Sequence, residues 1–119
     1  MEDAIARLKV RLENNYIFYR ENWLQMTPEW LIDHCEELEA VTRMAKELPS
    51  AVTDEDAKYL LRFRNPLEVV SDEWISRNGI DSLIVDAEMS HLLWSLRDRG
   101  CAEEAYELDE EYIASQEAT

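Results

Sequence analysis

Apolar side chains recur along this sequence at steps of three and four, and nowhere do they alternate with polar ones over the length of a strand. A spacing of three and four is the period of an amphipathic helix. Only two glycines and three prolines interrupt the pattern, so the chain is predicted to be all-α. The first and longest apolar stripe comprises Ile5, Leu8, Leu12, Tyr16, Tyr19, Trp23 and Met26.

Capping residues divide this pattern into five or six short helices. Helix starts are predicted at Thr27, Thr53, Asn65 and Asp81, because the side chain of each can accept a hydrogen bond from a free N–H of the first turn. Thr27 and Asn65 also precede proline, which suits the first helical position. Gly79 is a typical C-terminal stop.

Two of the predicted helices contain no break where the sequence is rich in acidic residues. One starts after Thr27 and ends near the segment LPS, and it places Cys35 on the inner stripe as a small core residue. The last helix is predicted to run without a break through Ala105, Leu108 and Tyr112. The expected architecture is a single compact helical domain over residues 1–114 without a sheet, followed by a frayed acidic tail at 115–119.

The net charge of −15 is unevenly distributed. Residues 1–26 carry as many bases as acids, so residues 27–119 hold all of it. Such a field repels nucleic acid and anionic lipid and attracts basic protein surfaces. We therefore expect a basic surface of another protein as partner, with no direct nucleic-acid binding and no membrane insertion.

The N-terminal segment MEDAIARLKV lacks the apolar stretch of a secretory signal, so export is not indicated. Cys35 and Cys101 are then expected to be free thiols in a reducing cytoplasm.

The segment WLIDHCEELEA sets a histidine and a cysteine beside three glutamates. On a helix, His34 and Glu37 share a face, but a zinc site would also need His91 or Cys101 from elsewhere in the fold. Catalysis by His34 and Cys35 is disfavoured, because neighbouring residues on a helix point about 100° apart. No catalytic, cofactor-binding or metal-binding residue is predicted, and the protein is not expected to be an enzyme.

The remaining signal is two rows of carboxylates at helical spacing. The first row comprises Glu29, Asp33, Glu36 and Glu37, and the second comprises Glu103, Glu104, Glu107, Glu110 and Glu111. On one continuous helix the second row would span roughly 12 Å, at about 1.5 Å per residue. That is close to two phosphate steps of a DNA strand, so such a row can imitate a nucleic-acid backbone. The alternative interpretation is that both rows only confer solubility.

The four tryptophans are predicted to divide between core and surface. Trp23, Trp74 and Trp94 lie on or beside inner stripes and are expected to pack in the core. Trp30 is the candidate for an exposed anchor residue. A base-stacking platform is not expected, because the surroundings are acidic.

The segment TDEDAKYLLRFRNPLEVVSDEW, residues 53–74, resembles a family of small acidic helical proteins of unknown function from conjugative elements and prophages of Firmicutes. The likeness rests on an acidic start, an Ala-x-x-Leu-Leu stretch, and then NPLE and EW. Residues 26–38, MTPEWLIDHCEEL, are similar to the Pro-x-Glu-Ile-Ile helix of that family, although HCEEL replaces its tyrosine-bearing segment. The resemblance implies a mobile-element setting and carries over no activity, cofactor or catalytic residue.

The sequence therefore favours a non-enzymatic acidic module that binds another protein. Its sharper form is a nucleic-acid mimic that inhibits a host DNA- or RNA-processing enzyme, of the anti-CRISPR or anti-restriction type. The alternative is an assembly module, such as a homodimer, that works through apolar surface. The long apolar stripe and near-neutral charge of residues 1–26 favour that alternative.

Overall fold

The computed structural model describes residues 3–79, 86–100 and 102–117. No strand occurs among these residues, which contain a single isolated antiparallel bridge between Phe63 and Leu108. The all-α prediction is confirmed, but the described residues form eight helices, not five or six. They are α1 (Ala4–Trp23), α2 (Pro28–Asp33), α3 (Cys35–Ala51), α4 (Asp54–Leu60), α5 (Pro66–Asn78), α6 (Asp86–Arg99), α7 (Ala102–Ala105) and α8 (Glu110–Glu117).

The predicted helix caps are confirmed wherever they are described. Thr27 and Asn65 each accept a hydrogen bond from the backbone N–H three residues on, at 3.1 and 3.0 Å. Thr53 and Asp56 form a reciprocal capping box, with hydrogen bonds of 3.1 and 3.2 Å. Gly79 follows α5 with φ 88°, a conformation that glycine adopts without a steric penalty.

Two predictions fall at the edges of what is described. The helix start at Asp81 lies outside the described residues. Helix α8 continues through Glu117, so residues 115–117 of the predicted tail are helical, while 118–119 lie outside the described residues. No described helix is both long enough and apolar enough to cross a membrane.

The core is one cluster of buried apolar side chains around α1, which packs against α3, α4 and α5. At the same time α6 packs against α3, α4 and α5, which closes the bundle. The largest side chains with almost no exposed surface are Phe63, Leu8, Leu12, Met44, Leu48, Leu60, Leu61, Leu67, Met89, Leu92 and Leu93. Burial of this apolar surface is the main force that holds the short helices together.

Arg11 joins α1 to two loops that are distant in sequence. Its Nη1 donates to the backbone oxygens of Leu61 and Phe63, at 2.7 and 2.9 Å. Its Nη2 pairs with the Asp109 carboxylate at 2.7 Å. Because Leu108 also bridges Phe63, the segment between α7 and α8 is anchored against the turn that follows α4.

Candidate functional site

The predicted acidic helix is interrupted at His34, which separates α2 from α3. The prediction of one continuous helix from Thr27 to LPS is therefore wrong. The Nδ1–H of His34 donates to the backbone oxygen of Trp30 at 2.8 Å. The His34 ring also stacks on the Trp30 ring, with centroids 4.0 Å apart and planes at 16°. Both contacts stabilise the break, so His34 has a structural role here.

The break also changes which side of α3 faces the core. Cys35 is exposed, so its prediction as a core residue is wrong. The buried side chains of α3 are instead Ala40, Val41, Met44 and Leu48. Periodicity counted through an unbroken helix could not reveal this change of register.

The first acidic row is exposed along its whole length. Glu29, Asp33, Glu36 and Glu37 each have an exposed side chain. None of them belongs to a salt bridge within the described part of the chain. Glu29 lies in the first turn of α2, and two of the others lie in the first turn of α3. The partial positive charge of a helix N-terminus stabilises carboxylates there, which offsets their mutual repulsion.

The second acidic row does not lie on one helix, so the continuous helical row predicted for it is wrong. Residues 106–109 separate α7 from α8. Two members of the row are also neutralised: Glu103 pairs with Arg62 at 3.1 Å and Glu107 pairs with Arg64 at 3.3 Å. The other members, Glu104, Glu110 and Glu111, are exposed. The first row is consequently the better candidate for a binding surface.

A pocket of about 490 Å³ opens where the first row meets α1 and α5. Its walls include three aromatic side chains, Tyr19, Trp23 and Trp30, and two carboxylates, Glu37 and Asp72. None of the described residues that line the pocket is basic. The pocket thus brings together two predicted site residues, Trp30 and Glu37, with three that sequence reasoning did not assign to a site.

The electrostatics on the α5 side of this pocket are strongly negative. Burial raises the pKa of Asp72, against the hydrogen bond that the Tyr106 hydroxyl donates to it at 3.2 Å. Burial and the charge of Asp72 raise the pKa of Glu68. Burial, followed by the charges of Glu68 and Asp72, raises the pKa of Tyr19 above its ordinary value. Burial and Asp72 raise that of Tyr106 to about 12. A raised carboxyl pKa means that the ionised form is disfavoured, and a cation bound nearby would favour that form again.

The residue next to Asp72 behaves in the opposite way. Burial alone would raise the pKa of Glu73, but hydrogen bonds from Arg77 and Arg99 outweigh it and lower the pKa. Arg77 donates to Glu73 at 2.8 Å, and Arg99 donates to the same oxygen. Two arginines thus neutralise Glu73, whereas its neighbour Asp72 has no basic partner among the described residues.

The predicted division of the tryptophans is partly wrong. Trp74 is buried and Trp23 packs partly against the core, as predicted. Trp94, predicted to be in the core, is 54% exposed, whereas the anchor candidate Trp30 is half-buried. Its position beside the inner apolar stripe predicts that His91 is partly buried, but His91 is exposed, with its ring centroid 6.0 Å from that of Trp94.

Fold and site together define the class: a small all-α domain with an exposed acidic row beside an aromatic-lined pocket. Among the described residues, no group of three or more histidine, cysteine, aspartate or glutamate side chains is placed to hold a metal ion. Cys101 lies outside those residues. No family model, curated protein or solved structure matches the chain.

Proposed function

We propose that the protein is a non-enzymatic acidic module that binds a basic surface of another protein. The observation that carries the proposal is the first acidic row, whose four carboxylates are exposed and have no salt-bridge partner within the described residues. Their charge is held on the short helix α2 and on the first turn of α3. Fixed charges of one sign steer an oppositely charged partner and set the register of the complex.

The sharper form of the proposal is a nucleic-acid mimic that inhibits a host DNA- or RNA-processing enzyme, of the anti-CRISPR or anti-restriction type. Such an enzyme presents lysine and arginine side chains to phosphates, and exposed carboxylates can occupy those side chains instead. The sequence resemblance to proteins of conjugative elements and prophages is the reason for placing the target in a bacterial host. The net charge of −15 suits this role.

We expect reversal of the first row to weaken partner binding by about tenfold to a hundredfold, since charges at an interface rim act mainly on association. The test variant is Glu29→Lys, Asp33→Lys and Glu36→Lys. The control is Glu13→Lys, Glu88→Lys and Asp98→Lys, which changes the net charge equally at exposed positions elsewhere. Tagged proteins would capture partners from a bacterial lysate, and the captured protein would then be titrated against each variant.

Salt and nucleic acid discriminate between the two forms of this proposal. Binding should weaken as salt rises from about 0.1 M to about 1 M, because the screening length falls from about 10 Å to about 3 Å. Binding whose affinity does not change with salt, or that is unchanged in the triple-reversal variant, would contradict the proposal that the protein is an acidic binding module. Failure of duplex DNA and of RNA to compete with the protein would remove only the mimic.

The alternative, an assembly module that works through apolar surface, has an observation of its own. The predicted stripe of α1 is largely used inside the molecule. Val10 and Ile17 of α1 and its C-cap residue Leu24, however, recur every seven residues and are 56%, 52% and 74% exposed. Phe18 and Ile32 add exposed fractions of 62% and 71%. Large apolar side chains exposed in such number on one part of a small protein often mark a protein interface.

Under this alternative we expect a dimer whose dissociation is promoted by Ile17→Lys together with Leu24→Lys. A charged residue placed in an apolar interface loses its hydration without gaining a partner. Light scattering over a wide range of protein concentration measures the mass directly. The control is Trp94→Lys, a similarly exposed apolar position on α6. A monomer at all concentrations would contradict the assembly module.

A further inference from the structure

We propose that the pocket between α1, α2, α3 and α5 binds an arginine side chain of the basic partner. This inference rests on the proposed function and identifies the central contact of the complex. The juxtaposition behind it is three aromatic side chains and two carboxylates around one opening, without a basic residue among those that line it. At about 490 Å³ the opening falls within the usual range of ligand pockets, about 300–1,000 Å³.

The aromatic walls are suited to a cation. Tyr19 and Trp23 have ring centroids 5.7 Å apart on successive turns of α1, and Trp30 of α2 lines the same pocket. His34 stacks on one face of the Trp30 ring, so a cation would use the opposite face. An arginine over an aromatic face is held by the ring quadrupole, and tryptophan is the most effective ring.

The carboxylates distinguish arginine from other cations. Glu37 and Asp72 can each accept N–H hydrogen bonds, which a guanidinium offers in a planar fork and a quaternary ammonium group cannot offer at all. A guanidinium also stacks on aromatic rings more readily than the strongly hydrated ammonium of lysine. The acidic row beside the pocket suits a basic polypeptide better than an isolated small cation.

No arginine among the described residues pairs with Asp72, although Arg77 and Arg99 both bind the neighbouring Glu73. On α5, Glu73 takes both Arg77 and Arg99, whereas Asp72 accepts only from the Tyr106 hydroxyl among the described residues. Glu68, one turn earlier, likewise has no basic partner among the described residues. Asp72 is exposed at the pocket and Glu68 lies one turn away on α5, and neither carboxylate has a counter-charge among the described residues. A cation that enters the pocket would therefore be attracted by both of these negative charges.

The experiment is an NMR titration with a blocked Gly-Arg-Gly peptide, read on the tryptophan indole N–H resonances. We expect the resonances of Trp23 and Trp30 to shift. Those of Trp74, which is buried, and Trp94, which is exposed on α6, should stay in place and act as internal controls. A peptide with neutral citrulline in place of arginine should bind at least about tenfold more weakly, because charge-assisted bonds and the cation–π contact are lost.

The test variant is Glu37→Gln with Asp72→Asn, which we expect to bind the arginine peptide about tenfold more weakly. The matched control is Glu88→Gln with Asp98→Asn, which we expect to bind as the wild type does.

Three results would each overturn the assignment. They are unshifted Trp23 and Trp30 resonances, equal binding of the citrulline and arginine peptides, and tighter binding of a lysine peptide or of choline. If the pocket fails while capture from lysate stays salt-dependent, only the pocket is wrong. If the pocket binds arginine and no salt-dependent partner exists, the proposed function is wrong.

Discussion

Replacing Phe63 by alanine is expected to destabilise the protein by about 3–5 kcal/mol, because a buried ring is lost and the surroundings close over the cavity only in part. Phe63 has no exposed surface, and its ring meets Tyr59 edge-on with centroids 5.4 Å apart. Its backbone pairs with Leu108 and accepts from Arg11. The loss is a large share of the roughly 5–15 kcal/mol that keeps a domain folded. Urea unfolding followed by tryptophan fluorescence measures it.

The other phenylalanine provides the matched control. Phe18 is 62% exposed on α1, so Phe18→Ala should change the free energy of unfolding by no more than about 0.5 kcal/mol. Equal effects of the two substitutions would show that Phe63 is not the buried centre described above. Loss of Phe63 should also affect the pocket. Leu108, which pairs with Phe63, lies two residues after Tyr106, and the Tyr106 hydroxyl donates to Asp72 at the pocket.

Replacing Asp56 by alanine is expected to cost about 2–4 kcal/mol of stability. Asp56 is 4% exposed, its carboxylate accepts a hydrogen bond from the backbone N–H of Thr53 at the start of α4, and it lies 3.1 Å from Arg97 of α6. Loss of a capping residue costs about 1 kcal/mol. Breaking a fully buried ion pair costs about 3–5 kcal/mol, but Arg97 is partly exposed, so water recovers part of that loss. Thermal and urea unfolding would both report the change.

Asp54, two residues earlier, is the control for charge. It forms an exposed pair with Lys58 at 3.1 Å, so Asp54→Ala should cost no more than about 0.5 kcal/mol. Asp56→Asn separates the two contributions, because the amide oxygen can still cap the helix while the charge opposite Arg97 is gone. An Asp56→Ala variant as stable as Asp54→Ala would contradict the dual role assigned to this carboxylate.

The parts of the fold that the sequence predicts are those set by short-range contacts. Thr27, Thr53 and Asn65 cap helices because a side chain and the N–H three residues on meet whenever the chain turns helical there. Gly79 ends α5 because a positive φ is available to it without strain. All of these depend on residues within four positions of one another, so the sequence contains the whole cause.

Only part of the candidate site could be predicted, because the sequence shows local patterns but not contacts between distant residues. Trp30 and Glu37 belong to a segment whose acidity and aromatic residue are visible in the sequence. Tyr19 and Asp72 lie far apart along the chain and meet at the pocket only because α1 and α5 pack together. In the sequence, Tyr19 is one residue of an apolar stripe and Asp72 is one acid among many, so neither pattern predicted that the two side chains line one pocket.

By itself, then, the sequence determined the helical class, the caps and the concentration of negative charge after residue 26. Only the tertiary structure decided that the last predicted helix breaks between α7 and α8, and which carboxylates lack a basic partner among the described residues. The physical reason at that break is that a helix gives up backbone hydrogen bonds where distant partners replace them. Leu108 pairs with Phe63, and Asp109 pairs with Arg11, in place of another helical turn. Those replacements depend on contacts that no local pattern records.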